Sequence, residues 1–284
     1  MTATDAYKKI TGQLKEIYNE SEASSIADWV MEYLTGKSRL ERAAQKERLL
    51  LTDQVEKLSV ILARLLEQEP IQYVLNESWF GGQKFYVDKN VLIPRPETEE
   101  LVEWIVSDYK IPIHDITMLD IGTGSGCIPI SLYKKIQKAK VWSCDISKAA
   151  LNVAIKNAAI LGADINYIQL DFLDTSSWSK LPSFDIIVSN PPYVPEKDKE
   201  QMHPNVLQFE PASALFVPDE DPLIFYKAIA EFGKTHLKKN GNIYLEIHES
   251  LGEATTKLFR ENGYVTELKK DMQQKDRLVK AGRK

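Results

Sequence analysis

Apolar positions recur at helical spacing through residues 1 to about 70, with polar residues between them. Ser21-Glu22-Ala23-Ser24 suits the start of a helix carrying Ile26, Val30, Met31 and Leu34, and Gly36 is placed to stop it. Another opens at Thr52-Asp53-Gln54-Val55 and carries Val55, Leu58, Ile61, Leu62, Leu65 and Leu66 at helical spacing; Pro70 ends it. From residue 71 the pattern changes. Trp79-Phe80 and Phe85-Tyr86-Val87 flank Gly81-Gly82, which predicts a β-hairpin. Beyond it, short β-branched runs alternate with helical segments. Strands are expected at 116–121, 141–145, 165–170, 184–189 and 242–247, then at 264–268 and 276–281 with no helix between the last two. Helices are expected near 96–106, after Gly126, after Ser147, from Asp221-Pro222 to Asn240-Gly241, and over 251–262. This alternation predicts an α/β domain, a mostly parallel sheet with helices on both faces and an antiparallel edge strand at its end. The expected division is a helical domain at 1–70, a β-hairpin linker at 71–94 and the α/β domain at 95–284.

Composition narrows the class. The 284 residues are 43% hydrophobic and 27% charged, as in a globular protein. A net charge of −5 and a pI near 5.6 argue against a strongly basic nucleic-acid surface. No apolar run is long enough to span a membrane, and Met1-Thr2-Ala3-Thr4-Asp5 has no signal-peptide character. Cys127 and Cys144 lie in apolar surroundings and read as buried thiols in a reducing compartment. His114, His203, His236 and His248 are scattered, and neither they nor the cysteines show zinc spacing, so no metal is expected.

Two stretches carry chemistry. The expected strand at 116–121 runs into Gly122-Thr123-Gly124-Ser125-Gly126 and a helix, a turn that brings backbone close to a ligand. No Gly-Lys-Ser/Thr follows, so it is not a phosphate-binding P-loop. Asp145 ends the next strand about 20 residues on, where an acid can hold both hydroxyls of a ribose. That marks a nucleoside without separating NAD from other nucleoside cofactors. The second stretch is Asn190-Pro191-Pro192-Tyr193, at the carboxyl end of an expected strand, where open α/β sheets bind ligands. The prolines fix the backbone there. Read blandly, it is a proline-rich turn.

Asn190-Pro191-Pro192-Tyr193 resembles the motif of enzymes that methylate planar nitrogens, such as adenine or cytosine amines and glutamine amides. The physics suits that use. The lone pair of such a nitrogen is delocalised, and acceptors aimed at both N–H groups orient it and raise its electron density. The Asn190 side-chain oxygen and the Pro191 carbonyl are the candidate acceptors, and Tyr193 is a candidate stacking platform. With Asp120 ahead of the glycine turn, this favours S-adenosyl-L-methionine as cofactor, with S-adenosyl-L-homocysteine as product.

The resemblance narrows at Asn90-Val91-Leu92-Ile93-Pro94-Arg95-Pro96-Glu97-Thr98-Glu99. Placed upstream of the glycine turn and of Asn190–Tyr193, this stretch is similar to the release-factor glutamine N5-methyltransferase family. The likeness covers most of residues 71–284, and His248 departs from the glycine common in the family. It implies a seven-stranded Rossmann-like methyltransferase sheet and methyl transfer to the N5 amide of the glutamine in the Gly-Gly-Gln motif of peptide-chain release factors. It implies cofactor binding by Asp120, Gly122, Thr123, Gly124, Ser125, Gly126, Asp145, Asp171, Phe172 and Asn190, with Asp171 and Phe172 at the adenine. Asn190, Pro191 and Tyr193 would be catalytic, and Asn190, Pro191, Pro192, Tyr193, Phe209 and Glu210 would border the glutamine. Glu210 has a loop-anchoring role as its alternative. The chain's own Gly81-Gly82-Gln83 reads as a hairpin turn, not as a substrate. A cytoplasmic monomer that acts on release factors is expected, with a helical domain that docks them, no membrane and no stable nucleic-acid binding. Two rivals stand: an adenine-N6 methyltransferase acting on DNA or RNA, and a nucleotide-binding module or dehydrogenase using the glycine turn and Asp145.

Overall fold

The computed structural model describes residues 1–44, 47–109 and 115–283. His114 lies outside them. The chain forms two compact units, Met1–Glu77 with Pro204–Phe209, and Ser78–His203 with Glu210–Lys284.

The first unit contains α1 (Ala3–Leu14), α2 (Glu20–Thr35), α3 (Arg39–Ala43), α4 (Thr52–Leu66) and α5 (Ile71–Leu75). Thr2 caps α1 in a reciprocal box with Asp5, and Asn19, one residue before the helix, caps α2. Gly36 closes α2 in the left-handed region. Ile10, Leu14, Val30, Met31, Leu58 and Leu65 are almost fully buried and form its core. Residues 71–75, expected in the linker, are helical. α4 stops at Leu66, before Pro70, with Gln68 at φ 62° leading out of it; Pro70 instead pre-sets the backbone for α5, which buries Ile71, Val74 and Leu75 in the same core.

The second unit opens with the hairpin β1 (Ser78–Phe80) and β2 (Gln83–Phe85), turning at Gly81 and Gly82, both at positive φ. Then come α6 (Pro96–Asp108), β3 (Ile116–Ile121), α7 (Cys127–Lys135), β4 (Ala139–Asp145), α8 (Lys148–Leu161), β5 (Ile165–Gln169) and β6 (Phe184–Ser189). The segment after Tyr193 is not a plain loop. It holds β7 (Val194–Pro195), the short helix α9 (Pro204–Phe209) of the first unit, and β8 (Phe216–Val217), which pairs with β7. α10 (Ile224–His236), β9 (Leu237–Glu246), α11 (Gly252–Glu261), β10 (Tyr264–Lys270) and β11 (Asp276–Arg283) finish it.

The main sheet has seven strands in the order β10-β11-β9-β6-β3-β4-β5. Six of them run in one direction and β11 runs against them, and alternate residues enter cores on opposite faces. Leu119, Ile121, Ile243 and Leu245 face α10 and α11 residues, while Met118, Val188 and Tyr244 face residues of α6 and α7. Two details differ from expectation. The antiparallel strand β11 lies inside the sheet between β9 and β10, because it buries Leu278, Val279 and Ala281; β10, half exposed, takes the edge. α10 stops at His236, not at Asn240-Gly241. Leu237 is buried opposite Phe184, and Asn240 at φ 65° with Gly241 absorbs a bulge within β9 instead.

Candidate active site

The site follows from sheet register. Ile121 of β3 pairs with Cys144 of β4 and Ser189 of β6, and Ser189 pairs with Leu245 of β9. One residue further on, Asp145, Gly122, Asn190 and Glu246 therefore stand in a row along the carboxyl edge. A cleft of about 290 Å³ opens there. Its walls come from residues 90–92 and 94–95, Gly122 to Ser125 of the glycine turn, residues 144–147, residues 170–173, residues 190–192, and Pro211, Ser213 and Ala214.

The glycine turn is conformationally demanding. Gly122, Gly124 and Gly126 all have positive φ, and a Cβ on Gly126 would lie 3.1 Å from the Ala154 Cβ and the Ile130 Cδ1. Asp145 holds the turn from the neighbouring strand, accepting from the Gly124 N–H at 3.0 Å and the Ser147 N–H at 2.8 Å. Each oxygen keeps acceptor capacity for a ligand. Burial raises its carboxyl above the ordinary range. Asn157, fully buried on α8, bonds the Ser125 carbonyl and clasps Tyr86 through both of its backbone groups, tying the hairpin exit to the turn.

The remaining expected residues divide. Gly122, Thr123, Gly124, Ser125, Asp145, Asp171, Phe172, Asn190, Pro191 and Pro192 line the cleft. Asp171 is exposed; Phe172 also packs against Trp178 and Phe232 in the core. Asp120 lies beneath the turn and does not line the cleft. Its Oδ2 accepts from Ser143 at 2.9 Å, while its Oδ1 and the Thr123 Oγ1 are buried without a partner. Tyr193 also does not line it. Its ring packs on the core and its hydroxyl donates to Glu246 at 3.0 Å. Phe209 ends α9 in the first unit. The Glu210 carboxylate is fully engaged, accepting from the Ile93 N–H at 3.1 Å and from Arg95 at 2.5 Å, so it pins one wall segment of the cleft to another.

Glu246 and Thr98 are polar residues bonded to the site loop that sequence reasoning does not single out. Glu246 is 1% exposed; it accepts from the Thr98 hydroxyl at 2.6 Å and from the Tyr193 hydroxyl, and burial raises its carboxyl. Thr98 in turn accepts from the Asn190 Nδ2 at 3.0 Å. The available signal is an acid inside the apolar run Ile243-Tyr244-Leu245-Glu246-Ile247, where a charge requires partners. Cys127 and Cys144 are unbridged and buried, and burial pushes the Cys127 thiol up to about 12. Among the described residues no helix is long and apolar enough to cross a membrane.

A family profile described as "Methyltransferase small domain" matches residues 98–213, and one described as "PrmC N-terminal domain" matches residues 5–75. The release factor glutamine methyltransferase of Flavobacterium psychrophilum is 43% identical over 270 residues, covering 94% of each chain. That of Bacteroides thetaiotaomicron is 41% identical over 275 residues, covering 96% of this chain and 98% of its own. The crystal structure of a methyltransferase from Pyrococcus furiosus shares the fold at 16% identity, with a TM-score of 0.51 over 78% of this chain and 96% of that one.

Asp120 generates a stability prediction. Burial pushes its carboxyl up to about 7 from an ordinary 3.8. The folded state therefore holds a proton that the unfolded chain releases near pH 4, and stability is lost as pH rises from about 4 to about 7. Asp120→Asn removes that loss and gives the orphan Thr123 oxygen a donor. In urea unfolding without ligand, the variant should be more stable by roughly 2–4 kcal/mol at pH 8 and by little at pH 4. A pH-independent difference would contradict the assignment.

Proposed function

The chain belongs to the release factor glutamine methyltransferase family, and from that premise we propose that it methylates the N5 amide of the Gly-Gly-Gln glutamine in peptide-chain release factors, using S-adenosyl-L-methionine. The observation that carries the reading is the state of Asn190. It lines the cleft in the same row as the glycine turn and Asp145, and its Nδ2 donates one hydrogen to Thr98, so its carbonyl oxygen is the end left for a ligand. A planar primary amide needs two acceptors in this position, and Asn190 Oδ1 with the Pro191 carbonyl is such a pair.

The cleft residues fit the cofactor. Asp145 has acceptor capacity for two ribose hydroxyls, and the turn from Gly122 to Ser125 brings backbone to the cleft wall for close approach, whereas Asp120, enclosed beneath the turn, supports it from below. Asp171 and Phe172 are assigned to the adenine end. When bound, S-adenosyl-L-methionine supplies a methyl carbon activated by its sulfonium. Asn190 and Pro191 take the two N–H groups of the glutamine amide, which turns its lone pair toward the methyl carbon and meets the positive charge that grows on nitrogen. As the N–C bond forms, the nitrogen becomes acidic and one proton leaves to water. Glu246 is too deeply enclosed to act as its base. Pro192 shapes the wall beside the amide; Tyr193 supports the loop through Glu246 and does not stack. Glu210 holds the wall in place.

The helical unit, taken as residues 1–70, is assigned to docking of the release factor in the cytoplasm. Its loop presents Leu49 and Leu51, 66% and 59% exposed, next to the start of α4. Apolar side chains so placed suit a protein partner.

Three outcomes test this reading. Incubation with labelled S-adenosyl-L-methionine and purified release factor, followed by peptide mass mapping, should place the label on the Gly-Gly-Gln glutamine. Labelling of DNA adenine with none on release factor would favour the adenine-N6 alternative and end the proposal. Asp145→Ala should weaken the cofactor by about 1.5–3 kcal/mol in calorimetric titration, the size of hydrogen bonds to a charged group; an unchanged affinity would place the nucleoside elsewhere. Leu49→Glu with Leu51→Glu should raise KM for intact release factor about tenfold while sparing a short Gly-Gly-Gln peptide, because remote contacts supply binding energy for a protein substrate. Equal effects on both substrates would remove the docking role from this loop.

A further inference from the structure

Glu246, Thr98 and Asn190 form one hydrogen-bonded line from the sheet interior to the cleft. The line has a direction. The enclosed Glu246 carboxyl accepts on both oxygens, from the Thr98 hydroxyl on Oε2 and the Tyr193 hydroxyl on Oε1. A threonine hydroxyl has a single hydrogen, and here it is spent on Glu246. Thr98 can then only accept from Asn190. That requirement selects which end of the Asn190 amide faces inward: the NH2 turns to Thr98 and the oxygen is left for the cleft. An isolated asparagine presents either end at similar cost. With the NH2 outward it would oppose the N–H groups of a substrate amide.

We propose that Thr98 and Glu246 are positioning residues that fix the polarity of Asn190, so that the site presents an acceptor to a glutamine amide and excludes the reversed, non-productive orientation. The inference rests on the glutamine-amide reading above and adds the residues that enforce it. Neither Thr98 nor Glu246 exchanges a proton with the substrate.

The direction of the line yields an uncommon expectation for Asn190→Asp. Judged from shape alone, aspartate keeps an acceptor and should serve better than alanine. In this network it places a second carboxylate against a hydroxyl whose hydrogen is already given away. One buried acceptor is left unpaired, which is among the costlier defects. Glu246→Gln repairs it. The new glutamine amide keeps its oxygen on Tyr193 and donates its NH2 to Thr98, and Thr98 then donates to the new carboxylate that Asn190→Asp introduces. With Asn190 intact, the same Glu246→Gln change reverses the line and turns the Asn190 NH2 outward.

The test is a double-mutant cycle in the full chain, read as single-turnover methylation of release factor, cofactor affinity by calorimetry and thermal unfolding. Asn190→Ala, Asn190→Asp and Glu246→Gln should each lower kcat about 10²-fold or more, with cofactor affinity within about threefold. The Asn190→Asp/Glu246→Gln double variant should recover at least about tenfold over Asn190→Asp, as expected for neighbours in one network. Thr98→Ser should stay near the parent, whereas Thr98→Val, of the same shape without the hydroxyl, should lose about 10²-fold in kcat. The Thr98 pair also decides the matter if Glu246→Gln fails to fold. Losses that multiply in the double variant, or equal kcat for Thr98→Ser and Thr98→Val, would overturn the proposal. A parent enzyme that does not methylate release factor at all would instead remove the functional reading beneath it.

Discussion

The register of the parallel strands is the constraint on which the site depends. Because β3, β4, β6 and β9 are buried on both faces, a slip of one residue would turn apolar side chains such as Leu119 and Met118 into the wrong core. The pairs Ile121–Cys144, Ile121–Ser189 and Ser189–Leu245 are therefore fixed by packing. The next residue of each strand is the first that leaves the ladder. Gly122 turns into the cofactor loop, Asp145 ties that loop, Asn190 enters the cleft and Glu246 stays behind. Hydrophobic burial far from the chemistry thus sets the relative placement of four groups that lie far apart in sequence.

The acids of this unit illustrate how enclosure sorts one chemical group into separate tasks. Glu210 is buried with Arg95 on one oxygen and the Ile93 N–H on the other and serves as a structural pin. Asp145 accepts two backbone N–H groups and still faces the cleft, so it can both shape the turn and take a ligand. Asp120 keeps one oxygen unpaired, and burial raises its carboxyl to about 7, the cost of an acceptor reserved under the turn. Glu246 is shut away from the cleft altogether. Both of its oxygens are met by hydroxyls, and its influence reaches the cleft only through Thr98.

How much of this is legible in the sequence follows from range. The glycine turn, Asp145 and Asn190 each stand at the end of an apolar run, and local pattern alone places them at strand ends. The anchors are different. Thr98 and Glu246 are 148 residues apart, Ile93 and Glu210 are 117 apart, and Tyr86 and Asn157 are 71 apart. Each anchoring polar side chain has a partner that only the folded sheet supplies. The same reason accounts for the structural differences. β11 has the period of an edge strand until its buried Val279 and Ala281 are seen to need neighbours on both sides. Asn240-Gly241 reads as a helix stop because a bulge inside β9 uses the same left-handed residue. Tyr193 reads as a platform because an aromatic ring beside a reactive loop suits that use; its hydroxyl is claimed by Glu246, a partner invisible without the pairing of β6 and β9.

That claim on Tyr193 bears on the chemistry. A buried carboxylate is tolerated only where donors surround it, and Glu246 takes the hydroxyl hydrogens of both Tyr193 and Thr98. Two side chains that flank the reacting loop are thereby turned inward, with their hydrogens unavailable to a ligand. Asn190 and Pro191 line the cleft here; the Asn190 Nδ2 is turned to Thr98, and Pro191 has a carbonyl but no N–H of its own to compete. Fewer donors are thus left where a primary amide must present its two hydrogens. An ordinary polar pocket offers both donors and acceptors and would bind an amide in several orientations. On the proposed reading, the Thr98 and Tyr193 hydroxyls given to Glu246 leave the carbonyl end of Asn190 for the amide, and orientation of the nucleophile follows from that without any group acting as a base.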